Sequence, residues 1–87
     1  MSQYKVKWKH SAVKELKNVD SRYVRRIVQA IEPLSNMPFP RGCRKIFGSD
    51  SSYRIRVGDY RVIYQIDEGN KTITIFHVRH RKDAYRK

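Results

Sequence analysis

The chain is short and strongly basic, with 87 residues and 20 Lys and Arg against 8 Asp and Glu. This length predicts one domain, residues 1–87, and the formal net charge of +12 indicates a polyanionic partner, either nucleic acid or an acidic protein. The single cysteine, Cys43, excludes an internal disulfide and a cysteine metal cluster, which is typical of a reducing compartment. No apolar run approaches the roughly 18 residues of a membrane span, and the first residues lack the apolar stretch of a signal peptide. We therefore expect a cytoplasmic protein that does not enter a membrane.

The first third of the chain predicts a strand followed by two helices. Residues 3–9 alternate between apolar side chains and lysines, which is typical of a half-buried strand. Ser11 is the predicted cap of a first helix that runs to Lys17. Asp20 is the predicted cap of a second helix, in which apolar residues recur every three or four positions until Pro33 ends or kinks it. Two helices joined by so short a link form a hairpin that covers one face of a sheet.

The centre of the chain predicts a β-hairpin. Tyr53–Val57 and Tyr60–Ile66 are rich in Tyr, Ile and Val, and Gly58-Asp59 between them is typical of a two-residue turn. This turn fixes the register, so that Arg56 faces Arg61. Alternation along each strand then sorts the side chains onto two faces.

One face of this hairpin concentrates positive charge. It is predicted to hold Arg54, Arg56, Arg61, Ile63 and Gln65. Opposed like charges destabilise a strand pair by up to about 1 kcal/mol, so such a face either exposes its charge to water, with acidic partners elsewhere in the fold, or binds an anion. We favour an anion site, because the planar guanidinium group suits phosphate. Basic residues interleaved with tyrosines are also typical of proteins that bind single-stranded RNA.

The rest of the chain predicts a loop, a last strand and a basic C-terminal segment. Residues 35–52 are rich in Pro, Gly and Ser and predict the loop. Thr72–Val78 is a β-rich run that completes an antiparallel meander. The C-terminal segment is either a frayed tail or folds back so that Arg79, His80 and Tyr85 lie beside the arginines of the hairpin.

Three stretches of the sequence together resemble the RelE/ParE toxins of bacterial and archaeal toxin–antitoxin systems. They are Gly42–Gly48, Tyr53–Tyr64 and Val78–Tyr85, and with the strand and helix pair ahead of them they cover nearly the whole chain. The resemblance implies a single RelE-like toxin domain with an α+β fold. In this fold a helical hairpin packs on a twisted antiparallel sheet, with the element order β-α-α-β-β-β.

The resemblance also implies an activity. In the RelE branch it implies an mRNA endonuclease that enters the ribosomal A site, where the ribose 2′-OH attacks the adjacent phosphate without a metal or other cofactor. The implied partners are the ribosome, mRNA and a cognate antitoxin, which we expect to be acidic. The ParE branch implies instead a toxin that inhibits DNA gyrase by binding. A basic RNA-binding module without enzymatic activity is a third possibility.

The resemblance assigns catalytic roles to five residues, Arg54, Arg56, Arg61, Arg79 and Tyr85. Arg56 and Arg61 are the predicted clamp on the phosphate, and Arg54 holds the same or a neighbouring phosphate. Arg79 places charge near the leaving group, and Tyr85 stacks on a base, orients the 2′-OH or merely packs. We expect four further basic residues to contact RNA: Arg44, Lys45, Arg81 and Lys82.

The general base is not among these arginines. Some family members have lysines at positions 54 and 56, but arginine stays protonated and is a poor proton acceptor. We predict that His80 carries the proton, because imidazole exchanges protons near neutral pH and neighbouring arginines favour its neutral form. The alternative is that His80 only contacts RNA and that the arginines supply most of the rate. His77 is interpreted as a structural residue within the last strand.

Overall fold

The elements of the fold follow the order expected from the sequence. The computed structural model describes residues 3–48 and 50–84. Its elements are β1 (Lys5–Trp8), α1 (His10–Lys17), α2 (Ser21–Ile31), a 3₁₀ turn (Glu32–Ser35), β2 (Arg44–Lys45), β3 (Ser52–Val57), β4 (Tyr60–Asp67), β5 (Thr72–His80) and a short helix α3 (Arg81–Ala84). The predicted strand, helical hairpin and three-stranded meander are confirmed, and β2 lies within residues predicted to form a loop.

Five strands form one sheet in the order β1-β5-β4-β3-β2. β1 runs parallel to β5, and the other neighbouring strands are antiparallel. The predicted α+β fold with a helical hairpin on a sheet is therefore confirmed, but the sheet is mixed rather than wholly antiparallel. Parallel neighbours need a long crossover connection. The chain between β1 and β5 supplies it, and no local sequence pattern reveals such a distant pairing.

The two helices begin differently from one another. The carboxylate of Asp20 accepts a hydrogen bond from the backbone N–H of Arg22 at 2.9 Å, which confirms the predicted cap of α2. The prediction for Ser11 was wrong, because α1 begins at His10 and its N-cap residue, Lys9, makes no side-chain cap. Lys9 is extended and donates its N–H to a carbonyl of β5. Lys9 is thus still hydrogen-bonded to β5 when α1 begins, and no separate capping residue lies between the strand and the helix.

The second helix ends where its proline predicts. After Ile31 the chain passes into the 3₁₀ turn, which contains Pro33, a residue without the N–H that continued α-helical bonding requires. Leu34 in the same turn is fully buried and joins the core. Across residues 3–48 and 50–84, every helix is too short or too polar to cross a membrane.

The hydrophobic core lies between the helices and one face of the sheet. Its fully buried side chains come from both layers: Ala12, Ile27, Leu34, Val62, Tyr64, Ile73 and Ile75. Burying one large apolar side chain contributes about 1.5–3 kcal/mol, so this layer is the main source of stability. This core occupies one face of the sheet. The strand residues that alternate with the core residues therefore point to the opposite face.

One extra residue interrupts the alternation of β5. Consecutive residues of β4 pair with His77 and Ile75, so Phe76 is the extra residue of a β-bulge. A shift of one residue moves every following side chain to the opposite face. Ile75 and Val78 are consequently both buried in the core, although they are three positions apart. The bulge decides which residues at the end of β5 lie with the arginines of the hairpin.

Candidate nucleic-acid interface

Three arginines form a row across three neighbouring strands. Arg56 of β3 pairs with Arg61 of β4, and Arg61 pairs with Arg79 of β5. Directly paired residues of antiparallel strands point to the same face, so the three side chains lie side by side. Arg56 is exposed, Arg79 is half-buried, and Arg61 between them is only 8% exposed. The predicted pairing of Arg56 with Arg61 and the predicted position of Arg79 are confirmed.

A second row lies beside the first on the same face. Arg44 of β2 pairs with Arg54 of β3, which pairs with Ile63 of β4 and, through it, with His77 of β5. We call the five arginines of the two rows the arginine face: Arg44, Arg54, Arg56, Arg61 and Arg79. It points away from α1 and α2 and collects guanidinium groups from four strands.

The arginine face has little negative charge of its own within the described residues. Arg79 donates to the carboxylate of Glu15 at 3.3 Å, whereas Arg54 and Arg56 form no salt bridge with a described carboxylate. Adjacent like charges disfavour strand pairing, and an anion bound across the row would offset that repulsion. In residues 3–48 and 50–84, His, Cys, Asp and Glu side chains do not gather in a group of three that would hold a metal ion.

Glu15 fastens α1 to the edge of β5. β1 pairs with β5 only as far as Ile75, so the backbone beyond that point lacks a strand neighbour on this side. One carboxylate oxygen of Glu15 accepts the N–H of Val78 at 3.0 Å and lies 3.4 Å from Nδ1 of His77. Its other oxygen accepts from Nε of Arg79. A single carboxylate therefore satisfies the strand edge and holds two side chains of the interface.

His80 lies on the opposite side of the sheet from the arginine face. It pairs with Tyr60, whose ring contacts the imidazole edge-on at a centroid distance of 5.2 Å. Its Nδ1 accepts a hydrogen bond from the N–H of Lys82 at 3.2 Å. His80 and Arg79 still line a common pocket of about 460 Å³ at the edge of β5. The expectation that His80 lies beside the hairpin arginines is wrong, because the bulge reverses the direction of its side chain.

The remaining predicted residues lie around the interface. Lys45 is exposed on β2 opposite Tyr53, so it belongs to the helix side at the outer edge of the sheet. Arg81 and Lys82 are exposed in α3, where the N–H of Arg81 donates to a carbonyl of the hairpin turn at 2.6 Å. The prediction for Tyr85 falls outside the described residues.

Two residues of the interface were missed by reasoning from the sequence alone. His77 was interpreted as structural, and Glu15 was not considered. A pattern in the sequence does indicate the bulge that brings His77 to this face: Ile75 and Phe76 are consecutive large apolar residues, and Val78 then breaks the alternation. Nothing local indicates Glu15, because its contacts bridge residues more than 60 positions apart.

Comparison with known proteins gives a consistent family assignment. The family model described as the ParE toxin of the type II toxin–antitoxin system, parDE, matches residues 6–85. Toxin RelG of Mycobacterium tuberculosis is 33% identical over 88 residues, covering 97% of this chain and 98% of that protein. Toxin RelE3 of Methanocaldococcus jannaschii is 36% identical over 85 residues, covering 93% and 94%.

The solved structures agree with the sequence relatives. A chain in the crystal structure of the archaeal RelE–RelB complex from Pyrococcus horikoshii superposes with a TM-score of 0.80 and 34% identity, covering 93% of this chain and 97% of that one. The isolated Escherichia coli RelE toxin has the same fold with a TM-score of 0.78. Sequence and fold together show that the chain belongs to the RelE/ParE superfamily of toxins from type II toxin–antitoxin systems, in its RelE-like branch.

Proposed function

We propose that this toxin is a metal-independent endoribonuclease that cleaves mRNA in the ribosomal A site. The observation that supports the proposal is the row formed by Arg56, Arg61 and Arg79, three guanidinium groups from neighbouring strands on one face. Such a cluster suits an enzyme that stabilises a phosphorane-like transition state, because negative charge builds on the phosphoryl oxygens.

The arginines take distinct roles in this proposal. Arg56 and Arg61 grip the scissile phosphate, because they are directly opposed on the hairpin. Arg54, in the next row, holds a neighbouring phosphate. Arg79, which Glu15 restrains at 3.3 Å, stabilises charge on the 5′ leaving oxygen. Tyr85 stacks on a base or orients the 2′-OH.

Basic residues around the arginine face extend its contact with nucleic acid. We propose that four of them bind RNA: Arg44, Lys45, Arg81 and Lys82. All four are exposed, and contacts of this kind position the backbone without reading sequence. His80 remains a candidate for proton transfer, although its side chain points to the helix side.

We also propose that the toxin binds a cognate acidic antitoxin. The P. horikoshii relative was crystallised as a complex with RelB. A net charge of +12 on 87 residues would steer an acidic, partly disordered chain to this surface. Such an antitoxin would inhibit the toxin either by covering the arginine face or by displacing the C-terminal segment.

Mapping of mRNA ends by primer extension on stalled ribosomes tests the proposed function. After a pulse of expression, the wild-type toxin is expected to produce cuts within the A-site codon. Arg56→Ala is expected to lose these cuts, because it removes an exposed arm of the clamp without disturbing the core. Arg25→Ala, which removes an equal charge from the exposed side of α2, is the matched control and is expected to retain them.

A gyrase-directed toxin is the second candidate, and the matching family model, described as a ParE toxin, favours it. It predicts growth arrest with DNA breaks and intact mRNA, and it predicts that Arg56→Ala remains toxic. That combination of results would refute the endonuclease proposal. Salt-sensitive RNA binding without cleavage on ribosomes would instead indicate a plain RNA-binding module.

A further inference from the structure

His77, not His80, is the histidine that shares a face with the arginines. The bulge at Phe76 shifts the alternation of β5 by one residue. Without the bulge, the alternation that begins with the core residues Ile73 and Ile75 would continue. His77 would then point into the core, and His80 would lie on the face of the arginines. With it, His77 lies in the row of Arg54, and His80 packs on Tyr60 in the other layer.

His77 also lies within reach of the proposed phosphate clamp. It pairs with Ile63, and Arg61 pairs with the residue two positions along the same strand, Arg79. Diagonal neighbours on one face of an antiparallel pair are about 7–8 Å apart, within range of long side chains. The phosphate gripped by Arg56 and Arg61, with Arg79 at its leaving oxygen, would therefore lie close to the imidazole ring.

Glu15 fixes the orientation of His77. Its Oε1 is 3.4 Å from Nδ1 and also accepts the N–H of Val78 at 3.0 Å, so the carboxylate is anchored to the backbone of the same strand. A carboxylate at one ring nitrogen favours the tautomer that is protonated there and leaves the other nitrogen as a proton acceptor. Catalytic hydrogen bonds are often long before substrate binds and tighten afterwards. The carboxylate of Glu15 thus lies on one side of the His77 imidazole, and the proposed phosphate site lies on the other.

We propose that His77 accepts the proton of the ribose 2′-OH through Nε2 and that Glu15 is its positioning residue. This inference rests on the proposed endonuclease function. In the step, the 2′-oxygen forms a bond to phosphorus as its proton passes to His77, and the bond from phosphorus to the 5′-oxygen breaks. The 5′-oxygen takes a proton from water, and the hydroxide so formed recovers the proton held by His77, so the products are a 2′,3′-cyclic phosphate and a 5′-hydroxyl end and His77 is neutral again. Proton transfer supplied in this way accelerates a reaction by about 10²–10⁴-fold.

Steady-state cleavage of mRNA on programmed ribosomes tests the assignment, because it separates kcat from KM. His77→Ala is expected to lower kcat by about 100-fold or more, with KM close to the wild-type value, and added imidazole is expected to restore part of the rate. His77→Gln keeps a polar side chain beside Glu15 but cannot accept the proton, so it is expected to be as slow as His77→Ala. Glu15→Gln keeps one acceptor oxygen, which can still accept the N–H of Val78, but it replaces the oxygen that accepts from Arg79 by an NH₂ group. It is expected to give a smaller loss, again in kcat.

The controls separate this inference from the function on which it rests. His10→Ala removes an exposed histidine of α1 and is expected to cleave like the wild type, and melting temperatures report whether each variant is folded. Absence of cleavage by the wild-type protein would refute both the endonuclease proposal and this inference. Three results would refute only the inference, provided that the wild type cleaves. They are an unimpaired His77→Ala, full activity of His77→Gln, and a large kcat loss in His80→Ala alone.

Discussion

At the scale of single residues, the structure places the arginines on one face of the sheet and divides the two histidines of β5 between both faces. Arg79 was assigned from the family resemblance, and it lies within β5, which runs to His80 rather than ending at Val78. Arg56 and Arg61 were predictable, because the Gly-Asp turn sets the hairpin register. The histidines were not, since the assignment of His77 and His80 to opposite faces depends on one bulged residue. Alternation with period two predicts which face of the sheet each side chain lies on. An extra residue in the strand reverses that prediction for every residue after it.

Asp20 gives a residue-scale prediction about pH. Hydrogen bonds from the side chain and backbone N–H of Arg22 lower the pKa of Asp20 from 3.8 to about 2. A carboxyl group with a lowered folded-state pKa stabilises the protein above its unfolded pKa and loses that contribution as the pH falls through its folded value. Asp20→Asn is therefore expected to lower the melting temperature at pH 7, and the difference from wild type should shrink steadily as the pH falls from about 4 to about 2.

Thermal melts recorded across this pH range measure the effect. Asn also caps helices well, so the substitution removes the charge while keeping the cap. Asp50→Asn, at an exposed loop position, is the control and is expected to leave the pH profile unchanged. A difference between Asp20→Asn and wild type that is as large at pH 2 as at pH 7 would mean that the charge of Asp20 is not its source.

At the scale of elements, local sequence patterns predicted which helices and strands form. Pairing between distant segments determined how these elements are arranged in the fold. The two helices, the hairpin and the last strand were recognisable from their periodicity. The parallel pairing of β1 with β5 and the contact of Glu15 with the edge of β5 were not, because each joins segments that are far apart in the sequence. The short β2 was not either, because its two residues lie in a stretch whose Pro, Gly and Ser content is typical of a loop. The contact between α1 and the edge of β5 brings Glu15 to the interface, so the site predicted from the sequence lacked the carboxylate of Glu15.

The turn of the central hairpin gives a prediction at this scale. Gly58 has φ +61°, and a Cβ atom placed on it would lie 2.7 Å from the ring of Tyr23 in α2. Gly58→Ala is expected to destabilise the fold by roughly 1–2 kcal/mol from the left-handed backbone conformation alone, with the contact to Tyr23 adding to it. Chemical denaturation measures the change, and a matched Gly69→Ala, at a turn glycine with more room, is expected to be milder. Equal stability of Gly58→Ala and wild type would contradict the hairpin geometry.

At the scale of the whole molecule, a net charge of +12 is distributed so that five arginines converge on one face. The fold identifies the superfamily, but members of one fold differ in activity, and the activity depends on the residues of the site. The sequence predicted the family, the basic interface and most of its arginines. It did not predict the mixed sheet or the position of His77 beside the arginines, which follow from the pairing of distant segments and from the bulge in β5.

Salt dependence of RNA binding tests the whole-molecule charge distribution. A single-stranded RNA loses affinity with a slope of about −0.7 per phosphate contacted in a plot of log K against log salt. If the arginine face contacts three phosphates of the strand, the slope is expected to be about −2 or steeper. Arg56→Ala is expected to make it shallower by at most about 0.7, because Arg61 still contacts the shared phosphate, and Arg25→Ala on the opposite side of the molecule is expected to change it less. A slope near zero would show that this face does not bind the RNA backbone.

The central claim is that guanidinium groups from neighbouring strands act together on one phosphate. A double-mutant cycle of Arg56→Ala and Arg61→Ala, measured by single-turnover mRNA cleavage on programmed ribosomes, tests it most directly. Each single variant is expected to lose about 10²–10³ in rate. The double variant is expected to lose clearly less than the product of the two, because residues that act as a unit are not additive. Losses that multiply independently, or no loss in either single variant, would contradict the shared clamp.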